Sequence, residues 1–441
     1  MAYTQSQQGK FAQRTTVYGR RASTALGLMV GLLVVPAPAH ARGGALDRSF
    51  GVDGKVTTDF AGLGGRILAL VVQPDGKLVA AGGSSAHFAL ARYNRDGSLD
   101  RGFGVDGRVT TEFGDPDGAN ALVLQADGKL VAAGVKATFQ GERLDFALAR
   151  YNRDGTLDTG FGDHGKLTTD FGADDTARAL VVQADGKLVA AGNTVAATPP
   201  YVNSFALARY NPNGTLDTSF GAGGHVITTG PDIANALVVQ ADGRLVAAGV
   251  ANLTTNSQFA LARYNRDGTL DTHFGAGGKV VTSFGGDGAW ISALVVQDGR
   301  LTAAGSTNLG SDTDFALARY NRDGTLDTHF GVGGKVTTHF AATNDDRLNA
   351  LVVEHGKLVA AGNLSTWSTP DYDFGLARYN RDGTLDARFG VGGTVVTDFA
   401  GGVDEANALA VQPDGRLVAA GTASIADQAD FALARYKAGR T

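Results

Sequence analysis

Apolar residues along the chain come in runs of five to eight, separated by polar and turn-forming residues at intervals too short for helices. The run "ILALVVQ" leads through "PDGK" into "LVAAG". A variable polar stretch follows, then "FALARY", "NRDGSLD" and "RVTTEF". The runs are rich in Val, Leu, Phe, Tyr and Thr and bounded by Gly and Asp, which predicts strands. In "QPDGK" the Pro fits the second position of a type I turn, and the Gly takes the left-handed residue after it. The shorter "QDGR" and "EHGK" fit two-residue hairpin loops.

This four-strand unit recurs. The word "LDxxFG" begins at Leu46, Leu99, Leu157, Leu216, Leu270, Leu326 and Leu385, with spacings of 53, 58, 59, 54, 56 and 59 residues. Seven copies leave no segment for a second domain, so residues 42–441 are expected to be one domain. Four antiparallel strands per unit of about 50 residues predict a propeller blade. The fold class expected is all-β, a seven-bladed β-propeller. The first copy opens with a lone fourth-type strand, "KVTTDF", and the last stops after "FALARY". The N-terminal strand is therefore expected to complete the last blade, closing the ring and covering edges that would otherwise aggregate.

The pattern "DGKLVAAG…DFALARYNRDGTLDTHFGxGGKVTT" resembles the delta-60 repeat, a bacterial β-propeller domain of unknown function. The resemblance covers Leu46 to Tyr436 and implies a fold and an extracytoplasmic setting. It brings no catalytic residues with it.

Residues 1–41 differ from the rest. Lys10, Arg14, Arg20 and Arg21 precede the apolar run "ALGLMVGLLVV", and "PAPAHA" follows. A charged start, a short apolar run and an A-x-A site form an export signal; Arg20-Arg21 hints at the twin-arginine route. Eleven apolar residues are too few to span a bilayer, which needs about 20, and no other segment is apolar enough. Periplasmic or secreted location is expected, as a monomer. The absence of cysteine excludes disulfides, thiolate metal sites and Cys nucleophiles. The 63 glycines follow no collagen period and point to many tight turns.

The repeated word "YNRDGTLD" has the look of a calcium loop. An EF-hand, however, needs a bidentate Glu at its twelfth position. Counted from Asn152, Asn94 and Asn265, that place holds Asp163, Val105 and Ala276. In the third copy the word becomes "YNPNGTLD", with Asn213 for Asp. An Asx turn accepts either residue, so the turn reading is preferred. Two opposite charges appear in every copy: the Arg of "FALARY" and the Asp of "LD". They predict a repeated, partly buried ion pair.

In a meandering blade the loops that vary here ("GSSAH", "VKATFQGERLD", "NTVAATPPYVNS", "NLSTWSTPDYD") leave on the same face as the blade-to-blade connections. Together these segments carry eighteen acids and five bases, although the whole chain has 44 acids against 39 bases. A rigid disc with variable loops on one side fits a binding face, and its charge favours cations or basic partners. No basic stripe points to nucleic acid.

Four residues before the Ala of the first strand stands Asp117, Asp175, Asp232, Asp346 or Asp404, with Gly65 and Ala289 in the other two copies; just before that Ala stands Asn120, Asn235, Asn349 or Asn407, with Arg178 and Ser292 elsewhere. If the first strands line a channel, these groups ring its mouth. The Asp residues cap their loops or, in the alternative, hold Ca²⁺; capping is preferred. Trp290, Trp367, Tyr201 and Tyr372 lie in the same loops and suit stacking on a sugar or gripping a peptide side chain. No nucleophile motif or metal-hydrolase spacing appears. The expectation is a non-catalytic binding or scaffold module for a glycan, a cation or an extracellular protein surface. The alternative is a polysaccharide lyase or hydrolase using the channel-mouth Asp residues.

Overall fold

A computed structural model describes residues 43–60, 64–84, 87–114, 117–137, 143–196, 202–253, 256–310, 312–340, 343–366, 372–399, 401–425 and 428–439. The segment expected to be an export signal lies outside them. Ala41–Thr441 forms one compact unit. Among the described residues the regular structure is all β, and no helix is long and apolar enough to cross a membrane.

There are seven blades of four antiparallel strands. Blade 3 is representative, with strands Asp174–Val182, Leu188–Val195, Asn203–Tyr210 and His225–Thr228. In chain order the other first strands are Arg66–Val72 (blade 1), Asp117–Leu124 (2), Pro231–Val239 (4), Gly288–Gln297 (5), Thr343–Glu354 (6) and Asp404–Val411 (7). First strands of neighbouring blades contact one another all the way round, blade 7 to blade 1 included. Blade 7 takes its outer strand from Lys55–Thr58, which pairs with the third strand from Lys55↔Ala434 to Thr58↔Phe431. One parallel bridge, Thr313↔Asp345, links blades 5 and 6.

The cores sit between blades rather than within them. One cluster joins Val189, Phe205 and Leu207 of blade 3 to Leu237, Ala247 and Tyr264 of blade 4; another joins Ile67, Leu78 and Tyr93 of blade 1 to Val418 and Leu433 of blade 7. The middle strands are covered on both sheet faces, which is why "LVAAG" and "FALARY" read as unbroken apolar runs.

The Gly of "AAG" has a specific cause. Each first strand carries a bulge, as between Ala177 and Ala179 in blade 3, that turns a backbone carbonyl onto this glycine. A Cβ at Gly192 would lie 1.8 Å from the Thr176 carbonyl oxygen, and one at Gly82 would lie 1.7 Å from that of Arg66. Only glycine fits there.

Polar bonds stitch the seams. The buried Arg263 donates from Nε to Asp271 Oδ2 at 2.8 Å, lies over the Phe274 ring at 4.5 Å, and donates from Nη1 to the Arg322 carbonyl of the next blade. The expected ion pair of the repeat is thus also a tie between blades. The third-strand Tyr reaches the other way: Tyr264 donates to Thr228 Oγ1 of blade 3 at 2.9 Å. In "YNRDGTLD", Asp154 Oδ1 accepts from Thr156 N and Oγ1, and Asn213 Oδ1 accepts from Thr215 in the same way. The word is an Asx turn.

Candidate functional site

The blade-to-blade connections and the loops from second to third strand share one face. Each sequence-singled Asp there is bound to backbone. Phe113, Phe171, Phe340 and Phe399 donate their N–H to Oδ2 of Asp117, Asp175, Asp346 and Asp404 at 2.6–2.8 Å. Phe88 N–H adds a bond to Asp117 Oδ1 at 2.7 Å. Asp232, whose blade follows a connection with Gly230 in place of a Phe, accepts from Leu253 N–H at 2.8 Å. The first four carboxylates cap the turn into the blade, and Asp232 holds the loop after the second strand.

The structure gives them neighbours that the sequence reading did not name. At each seam meet the residue before the third-strand Phe, the residue before the outer-strand Phe, and the first-strand Asp of the next blade. This assembles Asp145, Asp170 and Asp175 between blades 2 and 3, and Asp373, Asp398 and Asp404 between blades 6 and 7. Asp314, His339 and Asp346 meet between blades 5 and 6. Each group offers three ligand atoms within 4.8 Å of one another. Asp175, Asp346 and Asp404 therefore belong to three separate seams, not to one shared ring. In the third group His339 Nδ1 lies 3.0 Å from Asp314 Oδ1.

Electrostatics in the two all-Asp seams are strained. Asp175 and Asp404 are fully buried. Burial pushes the Asp175 carboxyl up to about 6; bonds from Thr194 and Phe171 oppose the rise, and the charges of Asp170 and Asp145 add to it. Asp404 rises to about 6 by burial first, with Asp398 and Asp373 adding repulsion. Asp145 is raised by its own burial and by Asp170. Oδ1 of Asp175 and Oδ1 of Asp404 are buried with no hydrogen-bond partner.

The four asparagines occupy the bulge of their first strands. Asn120 donates to the Ala177 carbonyl at 2.8 Å, Asn235 to Ile291 at 2.8 Å, Asn349 to Ala406 at 3.0 Å and Asn407 to Ile67 at 3.1 Å. Each thus ties its blade to the next around the centre. Trp290 is half-buried at the start of the blade 5 first strand, paired with Ser306. Tyr372 is half-buried at the start of the blade 6 third strand, and its N–H donates to the Gly402 carbonyl at 3.1 Å. Trp367 and Tyr201 lie outside the described residues.

A signal for the missed carboxylates was present in the repeats. The residue before "FALARY" and the residue before the Phe of "VTTxF" are both Asp in the copies that lead into the first-strand Asp175 and Asp404. Where the first-strand Asp becomes Ala289, the other two places hold Gln258 and Ser283.

The family model described as "Domain of unknown function (DUF5122) beta-propeller" matches seven times, over residues 73–103, 125–161, 183–220, 240–274, 297–330, 356–389 and 412–439. The chain belongs to this β-propeller repeat family. No curated protein matches it. Similar solved structures include virginiamycin B lyase from Staphylococcus aureus, 11% identical over 86% of this chain and 98% of that one, TM-score 0.47. Drosophila Plexin A in complex with Semaphorin 1b is 9% identical over 90% and 87%, TM-score 0.45. The polysaccharide lyase Uly1 is 12% identical over 86% and 90%, TM-score 0.44. Likeness at this level carries no argument about function. The DUF5122 family itself has no assigned activity.

Proposed function

We propose that this DUF5122 propeller, whose repeat we take to be the delta-60 type, is an exported binding or scaffold module. Its acidic loop face receives a basic protein surface, a cation or a glycan. One observation carries the reading: the loops that differ between blades share a face with the excess acid, while the opposite turns are nearly constant and tied by the Arg–Asp bonds. A charged face of variable shape on an unvarying frame suits recognition. The half-buried rings of Trp290 and Tyr372 add flat contact surface there.

A second reading is favoured by one observation, the two carboxyls raised to about 6 at Asp175 and Asp404. A carboxyl with such a value can act as a general acid near neutrality, as a polysaccharide lyase or hydrolase requires. Against it, Oδ2 of each is held by a backbone N–H and the groups lie deep in the seams. The test is thermal melting with a panel of oligosaccharides and basic peptides, run alongside a sugar-release assay. Stabilisation without product supports the binding reading. Sugar release abolished by Asp175→Asn or Asp404→Asn establishes the enzyme, and no response to any probe removes both readings.

A further inference from the structure

The capping role of the first-strand Asp requires no acidic company. Asp232 takes the Leu253 N–H with Ser204 and Thr229 in the other two places of its seam. Yet two seams hold three carboxylates each, brought together by the same three strand positions and repelling one another. Asp170 and Asp398 each accept one backbone N–H, from Gly172 at 2.5 Å and from Gly401 at 2.6 Å, but local capping does not require these carboxylates to converge with the other two of their seams. A second observation is independent of the crowding. In each of these seams the innermost carboxylate is fully buried, and its Oδ1 meets no donor. A buried oxygen in that position loses its water and gains nothing in exchange.

We propose that the seam of Asp145, Asp170 and Asp175 and the seam of Asp373, Asp398 and Asp404 are twin divalent-cation sites of the calcium class. Three oxygens within 4.8 Å of one another can all touch one ion at the 2.3–2.6 Å that Ca²⁺ prefers. All donors are hard carboxylate oxygens, with no nitrogen or sulfur to favour a softer ion. Asp170 and Asp398 are exposed, which leaves room for water to complete the shell. The ion would neutralise the crowded charge, occupy the orphaned oxygen, and join two blades through ligands from both. The seam of Asp314, His339 and Asp346 replaces one oxygen by a ring nitrogen and is a poorer calcium site. The inference goes beyond the binding reading and stands without it, because ion uptake is measured on the protein alone.

The test is calorimetric titration of the EGTA-stripped protein with CaCl₂, with melting followed in EGTA and in Ca²⁺. Two equivalents of Ca²⁺ are expected, with a higher Tm when loaded. Asp145→Asn/Asp170→Asn, which keeps the capping Asp175, is expected to lose one equivalent and to melt above the unsubstituted protein in EGTA, since the repulsion is gone. Asp170→Asn alone changes an exposed side chain and should leave the fold intact while weakening one site by at least about tenfold. The inference fails if millimolar Ca²⁺, Mg²⁺ and Mn²⁺ produce neither heat nor a Tm shift. It fails equally if the stoichiometry and affinity are the same in both variants.

Discussion

Replacing Arg263 by Met tests whether the repeated Arg–Asp bond holds the blades together. Arg263 and Asp271 are 5% and 3% exposed, so the substitution leaves a buried carboxylate without its nearest partner. Breaking a buried pair costs about 3–5 kcal/mol, and the lost contact with the Phe274 face adds about 1–2 kcal/mol. Two features reduce the total: Arg244 Nε lies 3.3 Å from the same Asp271 oxygen, and Met fills much of the vacated volume. A net loss of about 3–5 kcal/mol is expected, read as a fall in the urea midpoint at neutral pH with the slope unchanged. Asp271→Asn and the double variant complete a cycle with a coupling of about 1–3 kcal/mol. Burial raises the Asp271 carboxyl, but the His273 N–H and the charges of Arg263 and Arg244 outweigh it and hold the value low. Its contribution is therefore present above the ordinary carboxylate range and is lost as pH falls through the lowered value. The gap between Arg263→Met and the parent should close in that acid range. A loss below about 1 kcal/mol, or a cycle with no coupling, would refute the claim that this bond is structural.

Three further outcomes are expected. Gly82→Ala should destabilise by about 1–3 kcal/mol or more by overpacking, since its Cβ would meet the Arg66 carbonyl oxygen at 1.7 Å; at Gly83 the nearest atom is 3.8 Å away and Ala should be tolerated. Equal melting temperatures for the two variants would contradict the bulge account. In chelator, stability should rise as pH falls from 7 to 5, because the folded-state values of Asp175 and Asp404, about 6, lie above the ordinary 3.8, so the folded state binds more protons there; a flat or falling midpoint over that range argues against buried, ionised carboxylates. Removing residues 42–60 strips blade 7 of its outer strand and takes Asp47 from Arg435. The truncated protein should aggregate or melt well below the parent, and an unchanged Tm would show the strand to be dispensable.

Much of the fold was legible because each repeat is a separate copy of the same physical problem. Alternating runs and Gly-Asp punctuation gave the four strands, and the stray "KVTTDF" pointed to the pairing now seen between Lys55–Thr58 and the third strand of blade 7. The Asp and Asn positions were legible as special but not in their company. A seam is built from three strands of two blades, about 30 residues apart for Asp145 and Asp175, and chain order alone does not show which side chains meet there. The bulge was hidden for a related reason. It shows only in pairing register, although the Gly of "AAG" in every copy and the Asn at the bulge in four of them are its marks in the sequence.

The tie from Arg435 to Asp47 is the same bond that Arg263 makes with Asp271, although its partners stand at opposite ends of the polypeptide. To the folded body, the position of the termini is thus nearly arbitrary. Gly43 and Gly439 lie side by side, so linking the chain there and opening new ends in any irregular loop would keep all seven fastenings. Such a circular permutant retains the same set of interactions in a different reading order.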